Sequence, residues 1–255
     1  MINLFIGFAA GFFGGLVGLG GGVIMIPLMV GILKMSQHQA GGTSLVALVF
    51  TGLSGAIAYG LNGSVDLVAA LLLASTAIFT SRAGVCYANA LPEWRLKRAF
   101  GWFMIFTSTI MLLKPFLYQF DEPATGWLKI TVLLLTGILT GFLSGMMGIG
   151  GGTIMVPAMV LLAGFSQYSA QGSSLLAMVP VGMMGAYTNW TLGNVNTGIL
   201  PGLITGILLG TYLGGSLAHF MSETALRVIF AAVLIWTGVK YLKTPKPASE
   251  QEKSS

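Results

Sequence analysis

Apolar residues in this chain come in long runs, not in the alternation of a half-buried strand, and the polar positions collect at short interruptions between the runs. Read as helices, the runs give five segments in the first half, at 3–17, 23–33, 40–61, 65–91 and 96–117. The second half repeats them at 128–147, 153–163, 170–192, 195–221 and 226–242. The third to fifth segments of each half reach the ~20 residues that cross a bilayer as a helix, whereas the first two do not comfortably. The pattern predicts an all-α membrane protein in which each half joins broken short helices to three full transmembrane helices.

The break between the first two segments is written in glycine. Gly18, Gly20, Gly21 and Gly22 precede Pro27, and Gly148, Gly150, Gly151 and Gly152 precede Pro157 in the same spacing. Four glycines in five residues cost roughly 1 kcal/mol each in a helix interior, so neither stretch can continue a helix. A backbone break within a membrane is tolerated only where its polar groups face protein, water or a ligand. The two stretches belong to a longer duplication. Residues 11–65 align with 141–195 at an offset of 130 without a gap, and about 25 of 55 positions are identical. The expected organisation is a first repeat over 1–117, a linker over 118–126, a second repeat over 127–243 and a disordered tail over 244–255.

Charge decides between the two ways of placing these halves in a membrane. If the first two segments make one broken crossing, each half crosses an even number of times and the halves are parallel. If they form a hairpin or two short crossings, the number is odd and the halves are inverted. Inversion puts Lys34, Arg95, Lys97, Arg98, Lys240, Lys243, Lys246 and Lys253 on one side, against Lys114, Lys129 and Arg227 on the other. The parallel arrangement splits them almost evenly. The positive-inside rule therefore predicts inverted repeats with both termini cytoplasmic.

Composition narrows the function. The chain is 55% hydrophobic and only 7% charged, against about a quarter charged in soluble domains. Its net charge of +5 reads as membrane orientation, not as a nucleic-acid surface. Cys86 is the only cysteine, which excludes a disulfide framework, and its expected place is as buried filler. The first segment lacks a basic leader and a small-residue cleavage site, so it is expected to be retained. No clustered His or Cys, carboxylate pair or nucleophile with a base points to an enzyme, and no cofactor is expected.

Inverted repeats with broken helices are an architecture of secondary transporters. A helix starting after Gly20, Gly21 and Gly22 aims the free N–H groups of its first turn, including that of Val23, at the break; Gly150, Gly151 and Gly152 do the same for Thr153. Two such ends face to face make an anion site without a cation, although glycines also serve helix packing. Thr43 and Ser44, matched by Ser173 and Ser174, follow Gln37 and Gln167, and their hydroxyls and amides can donate to an anion or simply cap a helix. Arg82 lies well inside a segment, where a buried cation suggests function and a snorkelling side chain does not. His38, His219 and Asn89 lie near segment ends, where solvation or an interfacial role is the plain reading. The second half has no Asp or Glu between Ile130 and Ser222 and the first has only Asp66 before residue 90. An acidic proton relay is therefore not expected, and uncoupled anion movement driven by the membrane potential is favoured.

At the glycine and proline stretches and at Gly42-Thr43-Ser44-Leu45 and Gly172-Ser173-Ser174-Leu175, the chain resembles the sulfite exporter TauE/SafE family of membrane transporters. The resemblance covers residues 3 to about 242. It implies movement of a small sulfur-containing anion, such as sulfite or an organosulfonate, across the bacterial inner membrane. The expected partners are that anion and the lipid bilayer. Oligomeric state, coupling and direction stay open, as does a passive channel or an importer of a related anion.

Overall fold

A computed structural model describes residues 1–89, 92–113 and 126–243. The expected tail, and the expected linker up to residue 125, lie outside the described residues. Among the described residues ten α-helices follow in order: α1 Ile2–Val17, α2 Gly22–Ile32, α3 Gln37–Gly60, α4 Leu67–Ala88, α5 Glu93–Leu113, α6 Gly126–Met147, α7 Gly152–Leu161, α8 Gln167–Thr191, α9 Leu200–Ala218 and α10 Glu223–Leu242. A short 3₁₀ turn, Thr197–Ile199, leads into α9. The chain is a multi-pass membrane protein, and α3, α4, α6, α10 and α9 with its leading turn are long and apolar enough to cross a bilayer.

The first segment of the second half is longer than its counterpart: α6 has 22 residues against 16 in α1. It is therefore a full-length helix, not a short one as its place in the repeat suggested. By contrast α2 and α7, with 11 and 10 residues, span only about 15 Å at 1.5 Å per residue. Both lie deep in the protein, where Val23, Met25, Ile26, Met155 and Val156 are fully buried.

Packing exchanges partners between the halves. Helix α1 lies along α9, α4 along α6, α3 against α8 and α5 against α10. Glycines make the first two contacts close enough for backbones to touch, as small residues do in membranes. A Cβ on Gly11 would lie 2.7 Å from the Ile207 carbonyl oxygen, and one on Gly141 would lie 2.2 Å from that of Ala77. Gly7, Gly11 and Gly15 meet Leu203, Ile207 and Thr211 in ascending order, so α1 and α9 run parallel. Gly52 meets Leu175 and Val179, whereas Gly182 meets Leu45 and Val49. Helices α3 and α8, which correspond in the repeat, therefore run antiparallel.

Candidate functional site

Helix α1 ends at Gly18, whose φ of 71° places it in the left-handed region, and Gly20 and Gly21 follow at 82° and 79°. Three left-handed residues in four turn the chain back on itself, so that Gly21 lies against Ala10 and Gly14. The second break has the same turn at Gly148 and Gly150, but Gly151 has an ordinary φ of −79°. The two breaks touch. A Cβ on Gly22 would lie 2.5 Å from the Ile149 carbonyl oxygen, and one on Gly152 would lie 2.0 Å from that of Gly18. The first turns of α2 and α7 thus meet at the centre, each against carbonyls of the other half.

The Gly-[Thr/Ser]-Ser-Leu motifs stitch this meeting point from both sides. Ser44 Oγ donates to the Gly148 carbonyl and lies 2.7 Å from that of Gly41. Ser174 Oγ lies 3.2 Å from the Gly18 carbonyl and 2.8 Å from that of Gln171. Thr43 Oγ1 accepts from the backbone N–H of Asn196 at 3.0 Å, and Ser173 Oγ accepts from that of Asp66 at 2.8 Å. Asn196 and Asp66 cap the following turns with their own side chains. Gly42 and Gly172 are glycine because a Cβ there would lie 2.4 Å from the Asn194 carbonyl oxygen and 2.2 Å from that of Ser64. Every polar residue of the motif reaches the opposite half, and each is buried.

One end of this core opens into a cleft of about 510 Å³, including space continuous with the outside, lined by Gln37, His38, Gly41, Asn89, Asn189, Tyr241 and the end of α6 at Gly145–Ile149. The repeat supplies a second copy of the same place, and there the space is filled. Gly41 corresponds to Gln171, Asn189 to Tyr59, Asn89 to His219 and His38 to Tyr168. Tyr59 Oη, with one proton to donate, lies 2.8 Å from Gln171 Oε1 and 3.0 Å from the Gly15 carbonyl oxygen, and Gln171 Nε2 donates to the Val17 carbonyl at 3.1 Å. The His219 ring is tilted against that of Tyr59 and stacked on that of Tyr168, with ring centroids 4.8 and 5.5 Å away. Its Nδ1 lies 2.9 Å from the Gly215 carbonyl. A carbonyl only accepts, so that nitrogen carries the proton.

The family description Sulfite exporter TauE/SafE matches residues 3–241. This chain belongs to that family. Among relatives of the TauE/SafE chain, Probable membrane transporter protein YunE of Bacillus subtilis (strain 168) is 30% identical over 264 residues, covering 95% of this chain and 97% of the relative. Probable membrane transporter protein YdhB of the same strain is 25% identical, covering 89% and 94%. A Probable membrane transporter protein of Haemophilus influenzae is 25% identical, covering 92% and 95%. No solved structure matches. Membership makes the protein a membrane transporter of the TauE/SafE type.

In this TauE/SafE chain Gly20, Gly21, Gly22, Val23, Gly150, Gly151, Gly152 and Thr153 gather at the two breaks, with Ser44 and Ser174 beside them. Gln37 lines the cleft, while Gln167 is fully buried with neither amide atom hydrogen-bonded. Thr140 Oγ1 and Thr153 Oγ1 are likewise buried without a partner, and the Thr140 methyl would lie 2.6 Å from a Cβ on Gly151. Arg82 does not join them. It is exposed on α4, whose buried face carries Ser81, Gly84, Val85 and Ala88. Cys86 shares that exposed side, so its expected place as buried filler is corrected: two positions after Gly84, it points away from α6. Among the described residues no group of three His, Cys, Asp or Glu could hold a metal. Tyr59, Gln171 and Asn189 were missed. The repeat alignment held the signal, as large residues set against small ones at matched buried positions.

Proposed function

We propose that the protein is a secondary transporter that exports a small sulfur-containing anion, such as sulfite or an organosulfonate, across the bacterial inner membrane. The halves are inverted, both termini are cytoplasmic, and the substrate binds between the first turns of α2 and α7. The observation that carries this reading is the face-to-face meeting of two broken helices at the centre of an exchanged-partner packing. Orphan N–H groups of two first turns and two positive dipole ends converge there, and the breaks must part to admit an anion. The antiparallel run of the corresponding helices α3 and α8 supports the inversion. In that topology the cleft beside Asn89 and Tyr241 opens to the cytoplasm and its filled counterpart faces outward, the arrangement expected of a carrier open to one side.

A passive channel needs the same site but no closed end. Counterflow in proteoliposomes separates the two: trans sulfite should accelerate labelled sulfite exchange, and an ohmic current without exchange overturns the carrier. For the site, Gly151→Val is the informative substitution, because its φ suits an L-residue and its neighbours are side chains of Thr140 and Met155. It should weaken sulfite binding in a folded protein. Unchanged affinity puts the site elsewhere. Thiol labelling that finds the two termini on opposite faces ends the inverted topology.

A further inference from the structure

The two breaks differ in the side chains that surround them. Along α1, Ala10 and Gly14 face the first break: a Cβ on Gly21 would lie 2.7 Å from the Ala10 carbonyl oxygen, and one on Gly14 would lie 2.5 Å from the Gly21 backbone nitrogen. The matched residues on α6 are Thr140 and Ser144. Ser144 carries the Cβ that Gly14 lacks, and opposite it Gly151 turns right-handed, at φ −79°. The Thr140 methyl lies against Gly151, the N-cap of α7. Val23 in the first turn of α2 is likewise matched by Thr153 in the first turn of α7. The second break thus carries two hydroxyls where the first carries Ala10 and Val23. A helix threonine ordinarily bonds the carbonyl one turn back, as Thr51, Thr188 and Thr205 do to Ala47, Met184 and Pro201 at 3.2, 2.9 and 2.9 Å. Thr140 Oγ1 and Thr153 Oγ1 make no hydrogen bond, although the two residues are only 0 and 1% exposed.

We infer that the oxygens of the transported anion are held at the second break, where the Thr140 and Thr153 hydroxyls donate to them beside the first-turn N–H groups of α7. The Gly151 carbonyl accepts from Ile154 and Met155, while the N–H groups of Gly152 and Thr153 have no intrahelical acceptor and stand at the positive end of the helix. An unpaired buried hydroxyl is costly, and two of them beside one helix start are satisfied together when an oxyanion arrives. Ala10 and Val23 leave the α2 side as an apolar wall. Sulfite and a sulfonate both present three oxygens on one sulfur, so one subsite serves either. The inference rests on the proposed carrier and narrows its site, because it assigns the oxyanion to the α7 side of the meeting point and makes Thr140 and Thr153 the residues that select it.

Removing a hydroxyl that has no partner separates a ligand's donor from a structural one, since the two give opposite signs. Without anion, purified Thr140→Val and Thr153→Val should unfold at or above the wild-type temperature, because each replaces an unsatisfied buried group by a methyl of similar shape. Their affinities for sulfite and for methanesulfonate, measured by isothermal titration, should each fall about tenfold or more. Thr140→Ser and Thr153→Ser keep the hydroxyl and should bind within about threefold of wild type. Thr211→Val is the control: Thr211 Oγ1 is also buried without a partner, but it faces Gly11 between α1 and α9, so both affinities should be kept. A loss confined to one of the two anions supports the subsite and names the anion it holds. Wild-type affinity in both valine variants, with binding lost in Gly151→Val, overturns the hydroxyl subsite and leaves the site between the breaks standing. Valine variants that unfold well below wild type without anion make the hydroxyls structural and overturn it too. Wild-type protein that binds neither anion overturns the site between the breaks, and the subsite with it.

Discussion

The two ends of the core are copies that have parted. At the filled end, Tyr59, Gln171, His219 and Tyr168 pack and hydrogen-bond into a plug; at the open end, Asn189, Gly41, Asn89 and His38 leave a cleft. The backbone scaffold is shared, since both ends carry the same serine bond across the break and the same Thr or Ser bond to the opposite loop. What distinguishes them is side-chain volume and donor count at four matched positions. Duplication supplied two equivalent ends, and substitution at those positions filled one of them.

The largest expected effects come from backbone that has no room. Gly152→Val would press its side chain into the Gly18 carbonyl and the Leu19 backbone. It should cost well over 4 kcal/mol, beyond the usual range for a single substitution, and be read as loss of monodisperse protein in detergent. The two breaks should then separate at the preceding glycine. Gly21→Ala has a φ of 79° and the Ala10 carbonyl 2.7 Å from its Cβ, so a loss of about 2 kcal/mol or more is expected from the left-handed strain and the clash. Gly151→Ala, at φ −79° with the Thr140 methyl and the Met155 side chain, not backbone, nearest its Cβ, should cost less, about 1–2 kcal/mol. Equal losses in thermal unfolding would show that the breaks are more alike than their dihedral angles indicate.

The plug comes next. Tyr59→Phe removes the hydroxyl proton that lies within reach of Gln171 Oε1 and the Gly15 and Leu16 carbonyls, and an unsatisfied buried acceptor costs about 1–3 kcal/mol. The same variant should raise thiol labelling of a cysteine introduced at Gly215, beside Tyr59. Unchanged labelling would mean that ring packing alone closes that end. Smallest of all should be Asp66→Asn. Asp66 Oδ1 caps α4 by accepting from Ala69 N–H at 2.9 Å, and Asn196 does the same work in the other half on Gly198 at 3.1 Å. Asp and Asn cap about equally well, so stability and transport should stay within a few tenths of a kcal/mol of wild type. Transport lost in this variant while stability is kept would give Asp66 a role in coupling.

Segment number, the helix breaks and the family were legible in the chain itself, because each rests on local chemistry. A run of apolar residues can satisfy its backbone within a bilayer only as a helix, and clustered glycine forbids one. The duplication was legible too, since an offset of 130 aligns without a gap. The partners of the motif hydroxyls were not. Ser44 and Ser174 read as donors to an anion or as caps, and only the tertiary structure aimed them at the carbonyls of the opposite break, 104 and 156 residues away. The exposure of Arg82 and Cys86 was hidden for the same reason: a helix that is apolar on every side does not declare in its periodicity which face meets protein and which meets lipid. The difference between plug and cleft was decided by contacts between halves. A tyrosine set against an asparagine in an alignment becomes a plug only when folding brings its hydroxyl to the end of α1.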